Sequence, residues 1–255
     1  NTTKLMFKQS GKIHLGNIMD KLFIRILLKS GLNKKFAHTA KECQIMNGCL
    51  FLHQKEYRKA AFKGRKDIKY VIANNLSVVS EAMFCGCSNL EQLFLPNIQK
   101  IESSSKIYDD GAFEGTSITE ICFPTLKLIG SRAFFMCKQI HTINLQICEA
   151  VGDYSFGYCR NIETLNLNCV KTIGDGSFIG CTSLTQLNIS SVEQIGQYFI
   201  AFCKRLHKIE LNPKFDHFLC HRQCQRTKQC PICRGDLQKC FISAKYNRLK
   251  QKLSQ

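Results

Sequence analysis

The sequence predicts an α/β repeat solenoid: about seven 22-residue coils stacked so that each adds a strand to a parallel β-sheet, followed by a small cysteine-rich tail. Three observations predict it. The strings IGSRAFFMC (129–137), VGDYSFGYC (151–159), IGDGSFIGC (173–181) and IGQYFIAFC (195–203) repeat one pattern, with Cys137, Cys159, Cys181 and Cys203 spaced 22 residues apart. Each string is followed by a short apolar run: IHTINL (140–145), IETLNL (162–167), LTQLNI (184–189) and LHKIEL (206–211). Noisier copies lie upstream, at YRKAAFKGR (57–65), VSEAMFCGC (79–87) and YDDGAFEGT (108–116). A fixed period of this length marks coils that bury their apolar faces only against their neighbours.

Residues 1–53 do not fit the period and form a basic, helical cap region. NIMDKLFIRILLKSG (17–31) reads as a helix with Asn17 as N-cap and Gly31 as its stop. Its broad apolar side implies that it packs on something, and covering the first coil of a solenoid is the simplest role for it. Cys43, Cys49 and His53 lie near one another, but without a CxxC pair they argue against a metal site.

Residues 54–213 are the repeat domain. In the apolar runs, residues two apart share a face. The inward pairs are therefore Leu93/Leu95, Ile121/Phe123, Ile143/Leu145, Leu165/Leu167, Leu187/Ile189 and Ile209/Leu211. A second apolar stack comprises Phe62, Phe84, Phe113, Phe134, Phe156, Phe178 and Ile200, each three residues before the cysteine slot. Burying one such side chain is worth roughly 1.5–3 kcal/mol before entropy. Arg65 and Thr116 fill the cysteine slot in two coils, and about seven residues are inserted near 102–110.

The residues between the inward pairs form an outward ladder of Phe94, Cys122, Asn144, Asn166, Asn188 and Glu210. Two readings of it stand side by side: a partner-binding face, or asparagines that hydrogen-bond to one another along the stack. On the first reading a protein partner meets Phe94, Asn144, Asn166, Asn188 and Glu210, together with the adjacent His141, Glu163 and Gln186. The inserted loop is a second candidate contact.

The chain has 16 cysteines, but their register argues against a disulfide scaffold. Equivalent side chains in successive coils point the same way, which suits a disulfide poorly. They read as reduced, buried thiols packing as small hydrophobes. That favours a cytoplasmic setting, with the cell surface open because the chain starts at Asn1 and what precedes it is not given.

The repeats LxxIxL…IGxxAFxxCxxL over about 57–211 resemble the BspA-type leucine-rich repeat, found in bacterial surface proteins and in large protist families. Ser80 and Asp109 depart from its glycine, and Ile200 from its phenylalanine. The resemblance implies a binding solenoid, not an enzyme.

In the tail, residues 214–240 hold Cys220, Cys224, Cys230 and Cys233 as C-x3-C-x5-C-x2-C, with His217, His221 and Cys240 as alternates. Two close cysteine pairs among basic residues suit a tetrahedral zinc site, and so polar a segment has little else to fold around. His217, Cys220, Cys230, Pro231, Cys233, Arg234, Asp236 and Leu237 also resemble the second half of a RING-type finger, which would imply recruitment of ubiquitin-conjugating enzymes. The expected first half is missing, since leucine-rich repeats stand there. Residues 241–255 form a basic tail.

Charge is uneven. Residues 1–72 carry 16 Lys and Arg against 4 Asp and Glu, or +12; residues 73–213 carry 10 against 13, or −3; residues 214–255 carry 10 against 2, or +8. Basic ends attract nucleic acid, anionic lipid or acidic protein. The sequence shows no basic–aromatic readout surface, which argues against nucleic acid. There is no phosphate-binding glycine loop, HExxH or GxSxG. The sequence therefore predicts a monomeric protein-binding solenoid without a membrane span, the alternative being a ligase-like protein whose repeats choose the substrate.

Overall fold

The structure, a computed structural model, describes residues 13–103 and 110–212. It opens with helix α1 (Ile13–Ser30) and a short α2 (Lys34–Thr39). Gly31, at φ +67, ends α1. The Gly31 N–H donates to the Leu28 carbonyl and the Leu32 N–H to the Leu27 carbonyl, the paired bonds of a Schellman stop. Asn17 lies inside α1 instead of capping it. An asparagine in a helix interior costs only a few tenths of a kcal/mol, too little to set the boundary. Asn33 caps α2, its side chain accepting from the Phe36 N–H at 2.8 Å.

Strands β1 (Ile45–Met46) and β2 (Cys49–Phe51) form a hairpin. Asn47 and Gly48 both have positive φ, the backbone a two-residue hairpin turn requires. β2 pairs in parallel with β3 (Tyr70–Ile72), so the solenoid sheet starts upstream of residue 54.

Each later coil contributes a longer strand, a turn and a two-residue strand. The two-residue strands are β4 (Val78–Val79), β6 (Lys100–Ile101), β8 (Leu128–Ile129), β10 (Ala150–Val151), β12 (Thr172–Ile173) and β14 (Gln194–Ile195), and they make one unbroken parallel sheet. The longer strands after β3 are β5 (Gln92–Phe94), β7 (Glu120–Cys122), β9 (Thr142–Asn144), β11 (Thr164–Asn166), β13 (Gln186–Ile189) and β15 (Lys208–Leu211), hydrogen-bonded in three blocks that break after β5 and after β9. Ile101 pairs with Ile129, 28 positions on, whereas Val79–Ile101 and Ile173–Ile195 keep the 22-residue step. The insertion thus leaves the short-strand sheet in register. Its residues 104–109 are outside the described residues.

The core follows the repeat. Phe62, Phe84, Phe113, Phe134, Phe156 and Phe178 stack ring on ring, with centroids 5.2–5.6 Å apart and planes within 14° of parallel. Ile200 ends the stack, buried beside Phe199. In the cysteine slot each thiol donates to the carbonyl of the phenylalanine one coil back. The bonds run from Cys87 to Phe62, Cys137 to Phe113, Cys159 to Phe134, Cys181 to Phe156 and Cys203 to Phe178, at 2.9–3.2 Å. Thr116, in the same slot, donates to the Phe113 carbonyl. Only a protonated thiol can donate. Burial raises Cys87 to about 11 and Cys137 to about 12, and Cys159 and Cys181 well above an ordinary thiol. All eleven cysteines among the described residues are free.

Turn backbones join the coils. The N–H groups of Arg132, Phe134 and Met136 donate to the carbonyls of Asp153, Ser155 and Gly157, and Tyr154, Phe156 and Tyr158 repeat this one coil on. Just before these turns, Gly130, Gly152, Gly174 and Gly196 let neighbouring backbones meet. A Cβ on Gly152 would lie 2.6 Å from the Ser131 nitrogen. In an earlier coil the same place is taken by Ser80, whose hydroxyl donates to the Tyr57 carbonyl.

Two outcomes are expected. Gly152→Ala destabilises by about 1–3 kcal/mol, because the contact is backbone and cannot swing aside, and chemical denaturation checks it. The thiols' folded pKa lies above the unfolded 9.0, so their stabilisation is complete below that pH and is lost as pH rises towards 12. A melting temperature that falls above about pH 9, with the fall reduced in Cys137→Ser, is the check.

Candidate functional site

The outer face of the longer-strand sheet divides in two. On β2, β3 and β5 its side chains are mostly apolar, including Cys49, Phe51, Tyr70, Ile72 and Phe94, with Cys122 following on β7. Helix α1 lies across them. Met19, Leu22 and Ile26 fall three and four residues apart on one side of α1, and with Leu27 they form a second core with these strand residues. The Phe23 ring sits 5.0 Å from that of Phe94, and Phe36 meets Phe51 edge-on at 5.7 Å. Arg25 pairs with Glu120 at 2.6 Å, where the covered region ends.

Phe94 is thus not a partner-binding residue. It is 8% exposed, beneath α1. The helix covers the outer face of the first strands, which strand alternation alone leaves open. The missed signal was the apolar outer position itself: Tyr70, Ile72, Phe94 and Cys122 needed a cover. Cys49 is buried in the same layer, Cys43 is exposed in a turn, and His53 Nε2 lies 2.9 Å from the Ala40 carbonyl. Among the described residues no three His, Cys, Asp or Glu side chains gather to hold a metal.

From β9 onward the outer residues turn polar. Thr142 and Asn144 on β9, Thr164 and Asn166 on β11, Gln186 and Asn188 on β13, and Lys208 and Glu210 on β15 form an open strip. Asn166, Asn188 and Glu210 stand in register, as do Thr164, Gln186 and Lys208. Asn188 donates to Glu210 at 2.7 Å, and Lys208 pairs with Glu210 at 2.9 Å. Asn144 and Asn166 make no side-chain hydrogen bond among the described residues. A continuous asparagine ladder is therefore absent there, and these amides face outward.

The structure brings Asn144, Asn166, Gln186, Asn188 and Glu210 together. His141 and Glu163 sit at the rim, just before their strands: His141 Nδ1 is 2.9 Å from its neighbour Thr142 Oγ1, and the Glu163 carbonyl accepts from the Thr185 hydroxyl. Thr142, Thr164 and Lys208 belong to the same surface and follow from the same alternation. The proposed metal ligands Cys220, Cys224, Cys230 and Cys233, with His217, His221 and Cys240, lie outside the described residues, as does most of the inserted loop.

The profile of the BspA type leucine rich repeat region matches residues 42–109 and 105–221, in six copies. The chain belongs to the BspA-type leucine-rich repeat family. The match begins upstream of residue 54, in keeping with β2 as the first solenoid strand. A solved leucine-rich repeat protein from T. pallidum is 24% identical over 62% of this chain and 78% of its own, with a TM-score of 0.54, a likeness of fold. A leucine-rich repeat protein from Bacteroides ovatus is 16% identical over 63% of this chain and 60% of its own, at 0.37. The pneumococcal vaccine antigen PcpA is 14% identical over 64% and 62%, at 0.28. No protein of curated function matches the chain in sequence. BspA-type solenoids are of a fold that typically serves as a non-catalytic binding scaffold. No helix among the described residues is long and apolar enough to cross a membrane.

Docking of α1 is testable. Ile26, fully buried between helix and sheet, is expected to cost about 2–5 kcal/mol as Ile26→Ala. Hydrogen exchange should speed up over α1, β2 and β3 before it does in β11 and β13.

Proposed function

We propose that this BspA-type solenoid is a protein-interaction module that binds its partner on the polar strip of β9 to β15. One observation carries the reading: α1 covers the apolar part of the sheet face and stops short of the strip, whose Asn144 and Asn166 amides have no side-chain partner among the described residues. Exposed amides set at regular intervals on a rigid sheet can bond a partner's polar groups without rearrangement. Asn188, Glu210 and Lys208 already hold one another in place, so the far end of the strip is preorganised. The inserted loop at 102–110 is a second contact on this reading. The role is not catalytic.

The tail belongs to the same proposal as a metal-stabilised appendage. Its support is the spacing of Cys220, Cys224, Cys230 and Cys233 in a segment with little apolar area to bury.

A crosslinkable residue at position 166 or 188 is expected to trap the partner. Asn166→Arg/Asn188→Arg should reduce its capture at least tenfold, roughly the loss from one blocked contact of 1.4 kcal/mol, with an unchanged melting temperature. Lys171→Glu, on the short-strand side, should leave capture intact. Equal capture by the arginine variant removes the strip from the proposal. For the tail, about one zinc per chain is expected, lost in Cys230→Ser/Cys233→Ser; a chain that purifies without zinc refutes the metal site.

A further inference from the structure

Away from the polar strip, the turns carry two rows of residues with left-handed backbone, flanking each core phenylalanine. In the upstream coils these places hold Ala60, Gly64, Ala82, Gly86 and Gly115. In the downstream coils they hold Arg132, Met136, Tyr154, Tyr158, Tyr198 and Phe202, at φ between +53 and +62, except around Phe178, where Gly176 and Gly180 stand. Left-handed backbone is unfavourable for large side chains. The upstream coils show that the turn itself needs no large side chain. Tyr154 and Tyr158 are half-buried against the next coil, but burial does not account for the others that are apolar: Met136 is 41% exposed, Tyr198 43% and Phe202 37%. Backbone strain borne by exposed aromatic residues points to something outside the coil.

Lys138, Arg160 and Arg205 follow the cysteine slots of the same coils and are exposed. The nearby acids are engaged internally. Asp153 accepts from the Asp175 N–H, Asp175 from the Gln197 N–H, and Glu114 holds Arg132 at 2.7 Å. The edge is thus apolar–aromatic with a local basic border, on repeats whose residues 73–213 carry −3 in all.

We propose that this turn edge docks on an anionic lipid surface. Tyrosine, phenylalanine and methionine settle at the headgroup level, and lysine and arginine meet the acidic headgroups. The rings favour a flat surface over single-stranded nucleic acid. Tyr154 lies against Gly176 and Tyr158 against Gly180, closely enough that a Cβ on either glycine would meet ring carbons at 2.5–2.6 Å. The gaps between coils, where bases would stack, are therefore filled.

The chain contains no tryptophan, so Phe202→Trp provides a single reporter. With vesicles of phosphatidylcholine and phosphatidylserine at physiological salt, its emission should shift to the blue; with phosphatidylcholine alone it should not. Tyr198→Gly/Phe202→Gly suits the left-handed backbone and keeps the fold, yet should lower the vesicle partition about tenfold or more. Lys138→Ser/Arg160→Ser should lower it by a smaller factor that grows at low salt. The proposal is overturned if the full chain ignores anionic vesicles, or if the glycine variant binds them as well as the wild type, which would assign binding to the basic ends. It is equally overturned if an oligonucleotide, and not vesicles, shifts the reporter.

Discussion

Every coil must present to the next the same surface that it receives from the one before. The close approach of successive turn backbones enforces this. Three alternate N–H groups in most turns, and two in those around Phe84 and Phe113, reach the following coil, and glycine at 152, 174 or 196 leaves no room for a Cβ between them. With the backbones held so close, the phenylalanines stack at the same spacing, and each thiol falls within reach of a carbonyl one coil back. A cysteine there is small enough for the core and polar enough to satisfy that carbonyl. The thiols are thus structural because they are buried and protonated, and the same burial keeps them from acting as nucleophiles.

Stacking determines direction as well as contact. Side chains at equivalent positions form straight rows, so the chemistry of a face follows from one position of the repeat. The outer row of the longer-strand sheet changes from apolar to polar between β7 and β9, and α1 ends its coverage there. An uncovered row of Phe51, Ile72 and Phe94 would be an edge-to-edge apolar patch; beneath α1 it becomes a second core. The polar row beyond requires no cover and is left as the accessible surface. Helix and strip are therefore parts of one arrangement, in which the cover defines the extent of the site.

The candidate site was partly legible from the residues alone. Asn144, Asn166, Gln186, Asn188 and Glu210 lie on one face because strand alternation and the 22-residue step fix their direction. Phe94 obeyed the same rules and was still misplaced, because alternation says which way a side chain points and not what lies above it. Asn17 shows a similar limit: a capping residue type marks a helix start only where the backbone enters the helix there, and α1 extends upstream of it to Ile13.

By itself the sequence determined the period, the inward and outward rows, the phenylalanine and cysteine stacks and the Gly31 stop. All of these are local or repeat within 22 residues, where spacing carries the information. Only the tertiary structure decided where α1 docks, which asparagines remain unpaired, and that large residues at left-handed positions line one turn edge. Those outcomes depend on contacts between segments far apart in the chain and on backbone angles that residue identity does not specify, so no periodicity records them.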